Sequence, residues 1–135
     1  MNKPLTAEDI FQLSKAFHAL STVLGNYRYD HWDELSAKQR SVLESDQWTL
    51  FNTASDLNAK SVLAKINMAQ GDIDVLKEAT SSMQASAKKI QTIKHAINIA
   101  TKALALGGAI YLAASTGNVT TLIPAASVLI KEING

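Results

Sequence analysis

The strongest constraint on the fold is an apolar repeat in the second half of the chain. From Leu76 to Ala114, steps of three and four residues alternate without interruption, and Ser86 is the one polar residue in the row. An apolar heptad row sustained beyond three or four repeats is typical of a coiled-coil helix. The row therefore predicts one uninterrupted helix over residues 72–114, which would be roughly 60 Å long at 1.5 Å per residue.

A second heptad row precedes this helix and predicts its partner. Leu43, Leu50, Leu57 and Ala64 lie seven residues apart, on a helical arm that we place at residues 36–69. The turn between the two helices is short, and short connections favour antiparallel neighbours. The prediction is an elongated, coiled-coil-like antiparallel helical hairpin, whose longer helix needs additional cover at one end.

Two further helices are predicted to supply that cover. Thr6 and Asp9 resemble a capping box and predict a first helix over residues 6–24, followed by a connector over residues 25–35. The last helix is predicted over residues 119–133. The whole prediction is an all-α single domain of four or five helices over the full chain, in which the additional helices form a small bundle at one end of the hairpin.

Local signals set the ends of these predicted helices. Gly25 and Asn26 predict the end of the first helix, because both residues tolerate the left-handed conformation of a C-cap. Ser36 with Gln39 forms a second capping box, which predicts the start of the arm. Residues 115–118 read Ser-Thr-Gly-Asn and predict the turn after the long helix.

Composition limits the classes of function. The chain has 135 residues, no cysteine and a net charge of +1, so it has neither disulfides nor thiolate zinc sites. A net charge this small does not create the positive field typical of nucleic-acid binding proteins. The N-terminus has no apolar signal segment. We therefore expect a cytoplasmic protein, with export by a signal-less route left open.

No motif in the sequence predicts catalysis. The chain has no glycine-rich phosphate loop and no nucleophile motif. Its three histidines are far apart, and His31, which lies near Asp30, Asp33 and Glu34, belongs to a segment typical of a polar loop. The sequence predicts no enzyme activity, no bound metal and no cofactor.

The first functional hypothesis is a non-enzymatic interaction or assembly protein. A seam longer than the other helices can cover suggests binding of a protein partner or self-association. Aromatic residues with arginine in the connector are typical binding anchors, and the long helix carries lysines on its outer face. Without arginines beside them, these lysines are a weak nucleic-acid signal. The predicted interaction residues are Tyr27, Arg28, Tyr29, Trp32, Lys88, Lys89, Lys94 and Lys102.

The alternative hypothesis is a membrane-active protein, toxin-like or holin-like. No acidic residue occurs between Glu78 and Glu132, and two apolar runs at 103–114 and 122–130 flank a polar turn. This pattern is similar to the apolar hairpin that α-helical pore formers of the colicin type hide in a soluble bundle, although no family motif matches. The predicted inserting residues are Leu104, Leu106, Gly107, Gly108, Ile110, Leu112, Leu122, Ile123, Val128 and Leu129.

Length alone does not decide whether these runs are core or membrane segments. Each run is shorter than the roughly 20 residues that span a bilayer, and runs of 10–14 residues are more often buried core helices. Gly107 and Gly108 permit close helix contact in water or in lipid. Both interpretations remain open at this point.

Overall fold

The all-α prediction of four or five helices is confirmed. A computed structural model describes residues 2–59 and 66–135, and within them five α-helices are accompanied by one small two-stranded sheet. The elements are β1 (Asn2–Pro4), α1 (Ala7–Asp30), α2 (Ala37–Ala59), β2 (Asn67–Ala69), α3 (Gln70–Gln84), α4 (Ile93–Thr116) and α5 (Leu122–Asn134), with short 3-10 turns at Trp32–Glu34 and Ser86–Lys88.

Three of the predicted helix-end signals are present as hydrogen bonds. Thr6 and Asp9 cap α1 reciprocally, each side chain accepting from the other residue's backbone N–H. Ser36 and Gln39 do the same at the start of α2. After α4, Gly117 adopts a left-handed φ of 76° and donates its N–H to the carbonyl of Ala113. These signals are local, so they act in the same way whatever surrounds them.

The predicted end of the first helix at Gly25 and Asn26 is wrong, because α1 continues to Asp30. At Gly25 a Cβ would lie 2.5 Å from Nε2 of Gln47 on α2. The glycine therefore leaves room for the side chain of Gln47, and its place inside a helix reflects this contact. As a result, most of the predicted connector 25–35 is the last turns of α1.

The predicted arm over residues 36–69 is not helical as far as its predicted end. Helix α2 is described over Ala37–Ala59, and residues Asn67–Ala69 form β2, which pairs antiparallel with β1, with Lys3 opposite Met68. Ala64, the last residue of the second heptad row, lies outside the described residues. The strand pair fixes the N-terminus beside the start of α3, and Leu5 donates its backbone N–H to the carbonyl of Ile66.

The single long helix over residues 72–114 is wrong. The α-helical conformation ends at Gln84, a 3-10 turn follows at Ser86–Lys88, and α4 begins only at Ile93. Ser86 is fully buried and donates its hydroxyl to the carbonyl of Met83, at 2.7 Å. Thr92 begins the next helix by accepting the N–H of His95, at 3.0 Å. Hydrogen bonds of the side chains thus end one helix and start another without glycine or proline.

The buried row also changes phase across this break. In α3 the predicted row is buried at Leu76, Ala79 and Met83. In α4 a row one position earlier than the predicted one is fully or nearly fully buried: Ala96, Ile99, Ala103, Leu106, Ile110 and Ala113. Of the predicted row, Ala100 and Gly107 are also buried, whereas Ile97 and Leu104 are half-buried and Tyr111 is exposed. Helix α4 is apolar on nearly every face, so the sequence contains several rows that resemble a seam.

Helix pairing differs from the predicted hairpin. Helices α1 and α2 form the main antiparallel pair, in which Ser14 donates to the carbonyl of Ala54 and Ser21 to that of Gln47. Helix α3 packs on α1, α4 packs on α2, and α5 packs on α3 and α4. Helix α2 of the predicted arm therefore packs on α4, the second part of the predicted long helix, whereas α3, the first part, packs on α1. The fold is a bundle instead of an elongated hairpin.

Candidate functional site

The predicted connector residues contact one another and α2. The rings of Tyr27 and His31 stack at 4.0 Å between centroids. Arg28 forms an ion pair with Glu44 of α2, at 2.9 Å. Burial, and to a lesser degree the carboxylate of Glu34, raises the pKa of Tyr27 above its ordinary value. These contacts order the end of α1 against the start of α2.

Trp32 and Tyr29 differ in how far they are covered. Arg40 donates to the carbonyl of Trp32 from its guanidinium and also lies 4.4 Å from the Trp32 ring centroid, a cation–π distance. Tyr29 is 81% exposed. Tyr29 is thus the most accessible of the four connector residues that the sequence analysis selected.

The structure brings part of the connector beside the lysine-bearing segment. Tyr27 and His31 line a groove of about 310 Å³ whose opposite wall contains Ile90 and Gln91. Lys88 and Lys89 belong to this same segment between α3 and α4 and are exposed. The two halves of the predicted interaction site therefore meet at one end of the molecule, although the uninterrupted long helix is absent.

Two further lysines of the second half lie at one end of the α4–α5 pair. His95 of α4 lies 2.6 Å from the carbonyl oxygen of Glu132 of α5, so the first turn of α4 adjoins the last turn of α5. Lys94 and Lys131 are the exposed neighbours of these two residues, whereas Lys102 lies two turns further along α4 and is half-buried.

The residues of the predicted inserting hairpin are distributed between core and surface. Leu106, Gly107, Ile110, Leu122 and Leu129 are buried. Leu104 and Ile123 are half-buried, whereas Gly108, Leu112 and Val128 are exposed. At the far end of this hairpin the Tyr111 hydroxyl donates to Asp56 of α2, at 2.6 Å, and burial together with this bond raises the pKa of Tyr111.

Helix α4 is long and apolar enough to cross a membrane by length and composition, and it is the one such helix in the described part of the chain. Half of its most apolar window is buried in the bundle. Core helices of soluble proteins meet the same criterion. Its composition therefore fits either environment.

An aromatic groove between α1 and α2 was not predicted from the sequence. Phe11, Trp48 and Phe51 are large apolar residues that remain 47%, 58% and 38% exposed. Trp48 meets Phe51 edge-on, with ring centroids 5.9 Å apart, and the ring of His18 lies 5.8 Å from that of Phe51. Phe11 lines the same groove from α1. A cluster of exposed aromatics is characteristic of a recognition surface.

This aromatic groove has a volume of about 450 Å³ and carries a single charge. Of its lining residues, Lys15 is the charged one, and its Nζ lies 5.5 Å from the ring centroid of Phe11. Ser14, Ala19, Ala54, Ser55 and Asn58 complete the floor and walls. The small residues leave room between the two helices, and the aromatic rings border that room.

One signal in the sequence indicates this surface in retrospect. Phe51 directly follows Leu50 of the heptad row, and Phe11 directly follows the core residue Ile10. A large aromatic residue next to a buried residue in the sequence lies at the border between the buried face and the exposed face of its helix. That the two borders face one groove depends on the pairing of α1 with α2, which the sequence analysis did not predict.

No group of three or more metal-ligating side chains occurs in residues 2–59 and 66–135. Comparisons of the chain with protein-family models, curated proteins and solved structures find no match. Function is therefore inferred from the chemistry of the surfaces described above.

Proposed function

We propose that this protein is a non-enzymatic interaction protein whose aromatic groove binds an amphipathic helix of a partner protein. The observation that carries the proposal is the exposure of Phe11 and Phe51, which line the groove, and of Trp48, which meets Phe51 edge-on. Aromatic residues are enriched among the anchors that contribute most to binding energy. An exposed cluster of this kind is typical of a binding surface on a soluble protein.

The shape of the groove favours a helix as its occupant. Two antiparallel helices form the walls, and the lining residues extend from Phe11 to Ala19 on α1 and from Phe51 to Asn58 on α2. This corresponds to about two helical turns, or roughly 12 Å at 1.5 Å per residue. An amphipathic helix inserts anchors at positions i, i+3 or i+4, and i+7 over such a length.

The charge of the groove specifies the partner further. Lys15 lines one wall, and no acidic residue lies among the lining residues. A partner helix with a glutamate or aspartate beside its apolar face would pair with Lys15, while its apolar anchors pack on the aromatic rings. Opposite charges at the rim chiefly set the orientation and the rate of association. The second groove, lined by Tyr27 and His31, extends the surface available to a larger partner.

The test uses a displayed library of amphipathic helices and the native tryptophan Trp48 as a reporter. The chain has two tryptophans, so Trp32→Phe leaves Trp48 as the single fluorophore. Helices selected on the wild type should shift the emission of Trp48 to the blue as the groove is desolvated. Phe51→Ser should weaken their binding about 30-fold, the effect of losing an anchor worth about 2 kcal/mol.

Tyr29→Ser provides the matched control, because Tyr29 is an exposed aromatic outside the groove. It should leave the affinity unchanged. Lys15→Glu should shift the preference from helices with acidic flanks to helices with basic flanks. The proposal fails if no selected helix distinguishes the wild type from Phe51→Ser, provided that circular dichroism shows that the variant is folded.

A second candidate function is insertion of residues 103–130 into a membrane, which the length and composition of α4 would allow. Insertion requires the hairpin to leave the bundle together with buried residues such as Leu106 and Leu129. The core residues of the remaining helices that Leu106 and Leu129 now cover would then be exposed to water. Dye leakage from anionic vesicles at mildly acidic pH would support this function, and its absence at micromolar protein would refute it.

A further inference from the structure

The α4–α5 pair has a sharply divided charge distribution. Residues 103–130 contain no charged side chain and no histidine. The charges of the pair are confined to the first turns of α4 and the last turn of α5. This division places a charge-free surface next to a cationic one on the same pair of helices.

The cationic end presents lysines that are free to meet an external anion. Lys88, Lys89, Lys94 and Lys131 are exposed, and within the described residues none of the four lies in an ion pair. The pair's own acid at this end, Glu132, lies 4.0 Å from Nε2 of His95 and is largely covered, while Asp30 of α1 lines the groove beside the segment that carries Lys88 and Lys89. The lysines therefore project positive charge that the pair itself does not neutralise.

The neighbouring charge-free surface carries exposed apolar side chains. Leu112 of α4 is 39% exposed, and Val128 of α5 is 45% exposed. Leu104 and Ile123 are half-buried on the same two helices. Asp56 on α2 accepts the hydroxyl of Tyr111, the residue before Leu112. Residues 103–130 themselves contain no acidic side chain that would repel an anion.

We infer that the α4–α5 surface binds an anionic phospholipid bilayer peripherally, with its lysines at the headgroups and Leu112 and Val128 in the interfacial layer. Interfacial helices combine basic residues with apolar ones in this way, and they bury their apolar face about 5–10 Å into the boundary. The core residues Leu106 and Leu129 stay buried, so the bundle remains folded and no pore forms. This binding is separate from the helix-binding groove, which lies on α1 and α2.

The primary test measures sedimentation of the full chain with vesicles of phosphatidylcholine and phosphatidylserine in equal amounts. Binding should weaken as salt is raised, because the attraction between exposed charges is screened. The triple variant K88Q/K94Q/K131Q should bind about 100-fold more weakly, since each lysine near an anionic surface accounts for roughly a fivefold change. Neutral phosphatidylcholine vesicles should bind only weakly.

The matched control is K3Q/K15Q/K38Q, which removes the same charge from exposed lysines outside the α4–α5 pair. It should retain most of the binding. Leu112→Ser with Val128→Ser should weaken binding about tenfold through the loss of buried apolar area, whereas Phe51→Ser should not affect it. Equal losses in the two lysine variants, or equal binding to neutral vesicles, would overturn the inference. Failure of vesicle binding would leave selection of helices by the groove unaffected, so the two proposals can fail separately.

Discussion

Two leucines on α4, two residues apart, test the buried phase of that helix. The heptad row in the sequence places Leu104 on the seam, whereas the structure buries Leu106 completely and leaves Leu104 half-buried. Leu106→Ala removes a fully buried side chain, for which measured losses are about 3–5 kcal/mol. Leu104→Ala should cost about 1 kcal/mol, because much of its surface is already in water.

Urea unfolding followed by circular dichroism measures this difference directly. With a slope near 2 kcal/mol per molar urea, a loss of about 3 kcal/mol lowers the midpoint by about 1.5 M for Leu106→Ala. Leu104→Ala should shift the midpoint by about 0.5 M. Both substitutions remove the same atoms from the same helix, so differences in helix propensity cancel. A larger shift for Leu104→Ala than for Leu106→Ala would refute the buried phase and restore the heptad seam.

Three other predictions concern stability. Gly108→Ala should raise the melting temperature, with a gain of about 1 kcal/mol, because Gly108 is exposed inside α4 and an added Cβ meets nothing within 4 Å. Gly117→Ala should lower the melting temperature, with a loss of about 1 kcal/mol in the free energy of unfolding, because the φ of 76° is unfavourable for a residue with a Cβ. Burial raises the pKa of Asp46, so its contribution is largest in acid and is lost as pH rises through the raised pKa. Asp46→Asn should therefore stabilise the protein at neutral pH and make the free energy of unfolding fall less as pH rises, as measured by urea unfolding at several pH values.

Features fixed by a few neighbouring residues were predictable from the sequence. The capping box at Thr6 and the one at Ser36 require only a hydroxyl and a second side chain three residues away. The helix end at Gly117 requires only a residue that accepts a positive φ. Such signals identified the helical class and several helix ends without knowledge of the tertiary contacts.

The break between α3 and α4 could not be predicted by the same means. A heptad row predicts where a helix could be buried, but it does not specify whether the helix is continuous. Ser86 and Thr92 become helix-end residues only because the surrounding bundle lets the chain turn there. The alanines, leucines and isoleucines of α4 also make neighbouring rows equally apolar. The heptad row in the sequence therefore continues across a break that tertiary packing creates.

Tertiary packing also creates the aromatic groove, which is why the sequence did not predict it. The same packing keeps the groove apart from the α4–α5 surface, so the two proposed surfaces should act independently. The groove exists only because α1 pairs with α2, and α2 also separates it from the α4–α5 surface. Phe51 lines the groove, whereas Asp56 on another face of α2 receives the hydroxyl of Tyr111. Substitutions that share no partners generally have additive effects.

This separation leads to a fifth prediction. Phe51→Ser should weaken helix binding about 30-fold without changing vesicle binding. Leu112→Ser with Val128→Ser should weaken vesicle binding about tenfold without changing helix binding. A selected helix should bind vesicle-bound and free protein with equal affinity, as measured by Trp48 fluorescence in the Trp32→Phe background. A loss of helix affinity on vesicles would show that the bilayer covers the groove. The bilayer-facing side would then have to include α1 and α2, contrary to its assignment to α4 and α5.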